Sequence, residues 1–183
     1  MQIMQTAASI ENLAVSTYTS ALGLPFMAAV PPLVKNFMTK TKDQHAQQAR
    51  AFNATAARLG GPAQNGPAPE LKKVVDQRQP GLRTPADVVD LVMTLETAAA
   101  QTYVEATATL NDVDARKVVA SVLGVQAQHG ALLAIIKLLL ATPDLLVAPP
   151  PASRLPAPIG NASFPDSFLK TDQARQLDEG AVK

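Results

Sequence analysis

Residues 7–22, AASIENLAVSTYTSAL, decide how the rest of the chain reads. They place Glu11 in an otherwise apolar helical stripe and Tyr18 seven positions later, two turns along the same face. Residues 94–110, TLETAAAQTYVEATATL, repeat the arrangement with Glu96 and Tyr103. The chain has only two tyrosines and two histidines, so the histidines are the next place to look. Glu11 to Glu96 and Tyr18 to Tyr103 are each 85 positions apart, and His45 to His129 is 84. A nearly constant offset across three pairs of chemistry-bearing residues reads as an internal duplication, with each half supplying a Glu, a Tyr and a His.

Working outward, the apolar spacing predicts a first helix over about residues 3–22, with Met4, Ala7, Glu11, Ala14, Tyr18 and Leu22 on one face. Gly23 and Pro25 end it, and Pro31-Pro32 suits the first turn of a second helix running to about Leu59. That helix should turn Phe37 or Met38, Thr41, His45, Gln48 and Phe52 inward, and Gly60-Gly61-Pro62 should stop it. A long crossover over 60–84, with one short helix at about 70–77, carries the chain to Thr84-Pro85. That pair reads as an N-cap followed by a first-turn proline. A third long helix follows over about 85–110, and a fourth over about 113–141 after Asn111-Asp112. The fourth should face Val118, Val122, Val125, Gln126, His129, Leu132, Leu133 and Ile136 inward.

The fold class implied is all-α: an antiparallel four-helix bundle of two helical hairpins over 1–142, joined by the long crossover. From Pro143 the chain becomes a Pro-rich, irregular tail over 143–183. Leu145, Leu146, Ile159, Phe164 and Phe168 would anchor part of it on the bundle or on a partner. The last residues, 171–183, are polar and read as disordered or weakly helical.

Composition excludes several classes of function. The absence of cysteine removes disulfides, thiolate ligands and a cysteine nucleophile. A net charge of +1, with scattered basic residues, gives no footprint for nucleic acid. The most apolar run, 131–147, is interrupted by Lys137, Pro143 and Asp144, so no transmembrane segment is expected. The tail leaves open a homo-oligomer or a protein partner.

Two hairpins, each contributing a buried Glu and then a buried His, resemble the ferritin-like superfamily. There, two helices each give a Glu and the other two each give a Glu-x-x-His. QTAASIENLAVSTY and ARAFNATAARLGG are similar to small ferritin-like proteins of actinobacteria, a branch related to desiccation-related proteins. Such relatives usually begin with an export signal. This chain starts almost at its first helix, so the resemblance implies a trimmed form outside the cytoplasm.

The resemblance further implies metal ligation by Glu11, His45, Glu96 and His129, with Tyr18, Tyr103, Lys42 and Gln126 around them. It also exposes a departure. Bridging carboxylates belong three residues before each histidine, where this chain has Lys42 and Gln126. Two carboxylates cannot balance two divalent ions in a low-dielectric core, so two-iron ferroxidase chemistry is not expected. Two readings stay open. In one, Glu11, His45, Glu96 and His129 bind a single Fe, Mn or Zn ion in a metal-handling or stress-protection role. In the other, the bundle binds no metal, is not an enzyme, and serves as a structural or interaction module in which the Lys42 ammonium replaces the metal.

Overall fold

Several helix boundaries fall at chemical signals in the chain. The computed structural model describes residues 1–141 and 171–182. Helix α1 covers Gln2–Leu22 and gives way at Gly23 to a short 3-10 turn over Pro25–Ala29. Helix α2, Pro32–Arg58, starts with proline in its first turn, where a missing N–H costs nothing. It ends at Gly60, whose φ of 82° lies in the left-handed region that favours glycine. Helix α3 is the short crossover helix Pro69–Arg78.

Helix α4, Pro85–Thr109, opens on a reciprocal cap. The Asp87 N–H donates to Thr84 Oγ1 at 3.2 Å, and the Thr84 N–H donates to Asp87 Oδ2 at 2.8 Å. Helix α5, Val113–Leu140, is capped by Asp112, which accepts from the Ala115 N–H at 2.7 Å. Arg58 at the end of α2 grips that same Asp112 with two nitrogens, at 3.1 and 2.5 Å, which ties the two hairpins together at one end.

Helices α1 and α2 form one hairpin, and α4 and α5 the other. Contacts of α1 with α4 and of α2 with α5 close the four into a bundle. No strand occurs among the described residues. The core is largely small and aliphatic, with Met4, Ile10, Met27, Met38, Phe52, Leu91, Leu95 and Leu133 its largest apolar side chains beside the two tyrosines. The crossover packs along α1: the Ala68 N–H donates to Ser9 O at 3.0 Å, and Leu71 and Val75 are buried.

Two expectations change. On α5 the buried face runs through Ala115, Val119, Val122, Gln126, His129, Leu133 and Ile136, whereas Leu132 is 45 % exposed and Val118 sits at the edge. A helix so evenly apolar gives its inward face no sharp periodic signal. By length and composition alone α5 could cross a bilayer. Its buried Gln126 and His129 are instead bonded to other bundle helices. Residues 171–182 are neither helical nor detached: they form turns whose backbone is bonded to α1 and α4. The apolar anchors expected between 145 and 168 lie outside the described residues.

Candidate metal centre

The four helices bring six polar side chains of the two hairpins to one place in the core. Glu11, Tyr18, His45, Glu96, Tyr103 and His129 are all at most 3 % exposed. Each sits on the inward stripe of a helix whose other inward positions are mostly apolar, so they are buried by the same packing that buries Met4 or Leu95. A buried carboxylate is tolerated only with donors around it, and both glutamates have them.

The donors cross between hairpins. Tyr18 of α1 donates to Glu96 Oε1 of α4 at 2.6 Å, and Tyr103 of α4 donates to Glu11 Oε1 of α1. Burial first, and then the carboxylate each one faces, pushes both phenols well above their usual value, so they remain protonated donors. Gln126 Nε2 adds a second bond to Glu11 Oε1 at 3.0 Å and also donates to Gln48 Oε1 at 3.1 Å.

His45 stands between the two carboxylates. Its Nδ1 lies 2.6 Å from Glu11 Oε2 and its Nε2 lies 3.0 Å from Glu96 Oε1. Burial by itself would lower the imidazole's pKa, but Glu96 and Glu11 outweigh it and raise it from 6.5 to about 10. Glu96 responds in the opposite sense. Burial pushes it up, yet His45 and the bond from His129 hold it down at about 2. His129 reaches Glu96 Oε2 through Nδ1 at 3.3 Å, and the same nitrogen is 3.2 Å from Gln126 Oε1. Its Nε2 is 2.9 Å from Gln44 Oε1. The two imidazole centroids are 5.3 Å apart, at 62° to one another.

His45, Glu96 and His129 therefore form a cluster that could hold a metal ion: each offers a ligand atom, and these atoms all lie within 4.8 Å of one another. A model of the ferritin-like domain matches residues 1–138. The chain belongs to the ferritin-like family. None of the curated proteins and none of the solved structures compared with it matches.

The residues beside the histidines depart from the Glu-x-x-His pattern that the resemblance implies. Lys42, three before His45, does not enter the cluster; it is partly exposed and its ammonium lies 3.4 Å from the Asp43 carboxylate. The space between the glutamates that the metal-free reading gave to Lys42 is spanned by His45. Gln126, three before His129, does reach the cluster, as an amide rather than a carboxylate. Two residues had no role assigned from sequence. Gln48 was legible as an inward position but not as the partner of Gln126. Gln44 gave no signal at all, because it lies off the inward stripe and reaches across to α5.

Proposed function

We propose that this ferritin-like protein binds one divalent metal ion through His45, Glu96 and His129, and works in metal handling rather than in two-iron oxidation chemistry. One observation carries the reading. All four ring nitrogens of the two buried histidines face oxygen acceptors: Glu11, Glu96, Gln44, and Glu96 with Gln126. A nitrogen lone pair and a carboxylate do not attract each other, so such an arrangement needs protons or a cation between them.

For each histidine, one nitrogen turns to Glu96 and the other to an acceptor behind it. If His45 Nδ1–H donates to Glu11 and His129 Nε2–H donates to Gln44, then Nε2 of His45 and Nδ1 of His129 keep their lone pairs beside Glu96. Two imidazoles and a carboxylate suit Zn, Fe or Mn. Glu11 and Gln44 would then orient the histidines from behind, as acceptors commonly do at metal-bound imidazoles. In this proposal Glu11 is a positioning residue, where the resemblance alone suggested a ligand. Glu11 and Glu96 together balance one +2 ion. A second ion would need further carboxylate, which Gln126 does not supply. A bound ion would supply Lewis acidity and, as iron or manganese, one-electron redox capacity.

Metal analysis and calorimetric titration of the stripped full chain with Zn(II), Fe(II) and Mn(II) test the proposal. One ion per chain, lost on His129→Ala, is the expected result. No binding by any of the three, or two ions per chain, overturns it.

A second reading has its own support. With His45 protonated, the imidazolium bonds Glu11 and Glu96 at once, and the two carboxylates are bridged without metal. The bundle would then be a structural or interaction module, and the same titration would find no ion.

A further inference from the structure

The end of the chain lies in a groove formed by α1, α4 and the start of the crossover, and the groove holds it mainly by its backbone. The Gln173 N–H donates to Gln101 Oε1 at 2.5 Å, and the Arg175 N–H donates to Thr102 Oγ1 at 2.8 Å, both on α4. On α1, Thr6 Oγ1 donates to Leu177 O at 3.0 Å and accepts from the Gly180 N–H at 3.1 Å. Gln64 Nε2 donates to Gly180 O at 2.6 Å, and Gln5 Oε1 accepts from the Val182 N–H at 3.3 Å. Six main-chain groups of the segment are thus bonded by five bundle side chains. Of these five, Gln5, Thr6, Gln101 and Thr102 are at most 4 % exposed.

Two positions add selectivity. Gly180 is pressed so closely on α1 that a Cβ there would lie 2.1 Å from Ser9 Oγ and 2.9 Å from Thr6 Cα, the second a backbone atom that cannot swing away. Glu179, with a side chain 5 % exposed, accepts from the Glu70 N–H in the first turn of α3 at 3.0 Å and pairs with Arg175 at 2.7 Å. An acidic group at a helix N-terminus is favoured by the helix dipole as well as by the bond. Leu177 packs against the apolar core.

From these contacts we infer that the α1–α4 groove is a peptide-binding site. Its ligand is an irregular segment with the pattern Leu-x-Glu-Gly, and in this chain it is filled by the protein's own residues 171–182. The occupant is held by polar contacts a separate peptide could make equally well, and it is tethered through the Pro-rich stretch rather than built into a helix. It is a separable ligand on a site lined by bundle side chains, analogous to the backbone-reading grooves that capture extended peptides. The inference does not depend on whether the centre binds metal.

The full chain with Gly180→Val tests it. By hydrogen–deuterium exchange, the amides of Gln173, Arg175 and Val182 should be protected in the wild type and exchange at least tenfold faster in the variant. A labelled peptide of residues 171–183 should bind the variant, whose groove is vacated, and not the wild type, whose groove is filled by its tethered end. The same peptide carrying Gly180→Val should bind about tenfold or more weakly, as overpacking would require. A second arm avoids the substitution: a wild-type chain with a protease site inserted between Pro150 and Pro151 is cut after folding. The released fragment should stay with the bundle through gel filtration and be displaced by excess peptide. Unprotected amides in the wild type, a vacated groove that ignores the peptide, or loss of the cut fragment would each overturn the proposal.

Discussion

The two hairpins carry the same three polar residues at nearly the same spacing, yet the fold gives them unequal work. Glu96 of the second hairpin faces both histidines, whereas Glu11 of the first faces only His45 and otherwise accepts from Tyr103 and Gln126. His45 touches both carboxylates; His129 touches one, with Gln44 behind it. Matched sequence positions therefore do not imply matched roles, because the bundle is not symmetric in the residues flanking each histidine. Where α5 offers Gln126 three residues before its histidine, α2 offers Lys42, which turns away, and uses Gln48 three residues after.

The largest expected effect separates the two glutamates directly. Glu96→Ala should abolish metal binding, while Glu11→Ala should weaken it by about 10- to 100-fold, as loss of a group behind a ligand does. In the stripped protein each change leaves His45 with a single carboxylate and should cost about 3 kcal/mol or more in denaturant unfolding. Equal losses of metal affinity would erase the distinction.

The pH dependence of the stripped protein probes what the two halves share. His45 is raised from 6.5 to about 10, so its stabilising contribution is complete below about pH 6.5 and is lost as pH rises through 10. Glu96 is lowered from 4.5 to about 2, so its contribution is complete above about pH 4.5 and is lost as pH falls through 2. Thermal melts should be least pH-sensitive between those bounds and should decline on both sides. A melting temperature that rises steadily from pH 7 to 9 would contradict the His45 bridge.

Smaller effects come from the donors. Tyr18→Phe and Tyr103→Phe each remove a hydroxyl that serves a carboxylate of the opposite hairpin, and each should cost about 1.5–3 kcal/mol. Measured in the same denaturant series, a much larger cost for one would show that its glutamate has fewer alternatives. The smallest effect should be a gain. Thr41, one turn before His45 on the buried face of α2, has the one buried side-chain polar atom among the described residues without a hydrogen-bond partner. Thr41→Val should raise the stability of the stripped protein by about 1 kcal/mol. An accompanying loss of metal affinity would reveal a role for its hydroxyl in the loaded state.

Helix limits were legible to within a residue or two of the structure, because prolines at first turns, Thr84 with Pro85, Asp112 and Gly60 are local signals that need no tertiary information. The candidate centre was legible as a set of residue types, through repetition of scarce residues at nearly one offset. Its wiring was not. Which histidine nitrogen faces which oxygen depends on the rotation of each helix about its axis, and nothing local in the chain encodes that. Lys42 lay at a position the family resemblance marks as important, but a long charged side chain beside the acid Asp43 finds water and a partner more cheaply than it enters a core. The docked end was illegible for a different reason. Its anchors are main-chain groups, Gly180 has no side chain to announce a contact, and a polar composition reads as solvated.

The crossing of the tyrosines has a consequence for how the chain acquires its structure. A first hairpin folding alone would have to bury Glu11 without Tyr103 or Gln126, and a second would have to bury Glu96 without Tyr18 or His45. Each half thus withholds a hydroxyl that the other needs before its acid can leave water. Neither half can complete its interior early and wait for its partner. Docking in the correct register is the event that releases both acids from solvent at once, which makes the polar centre a checkpoint on assembly and favours a single cooperative unfolding step over the stepwise loss of one hairpin and then the other.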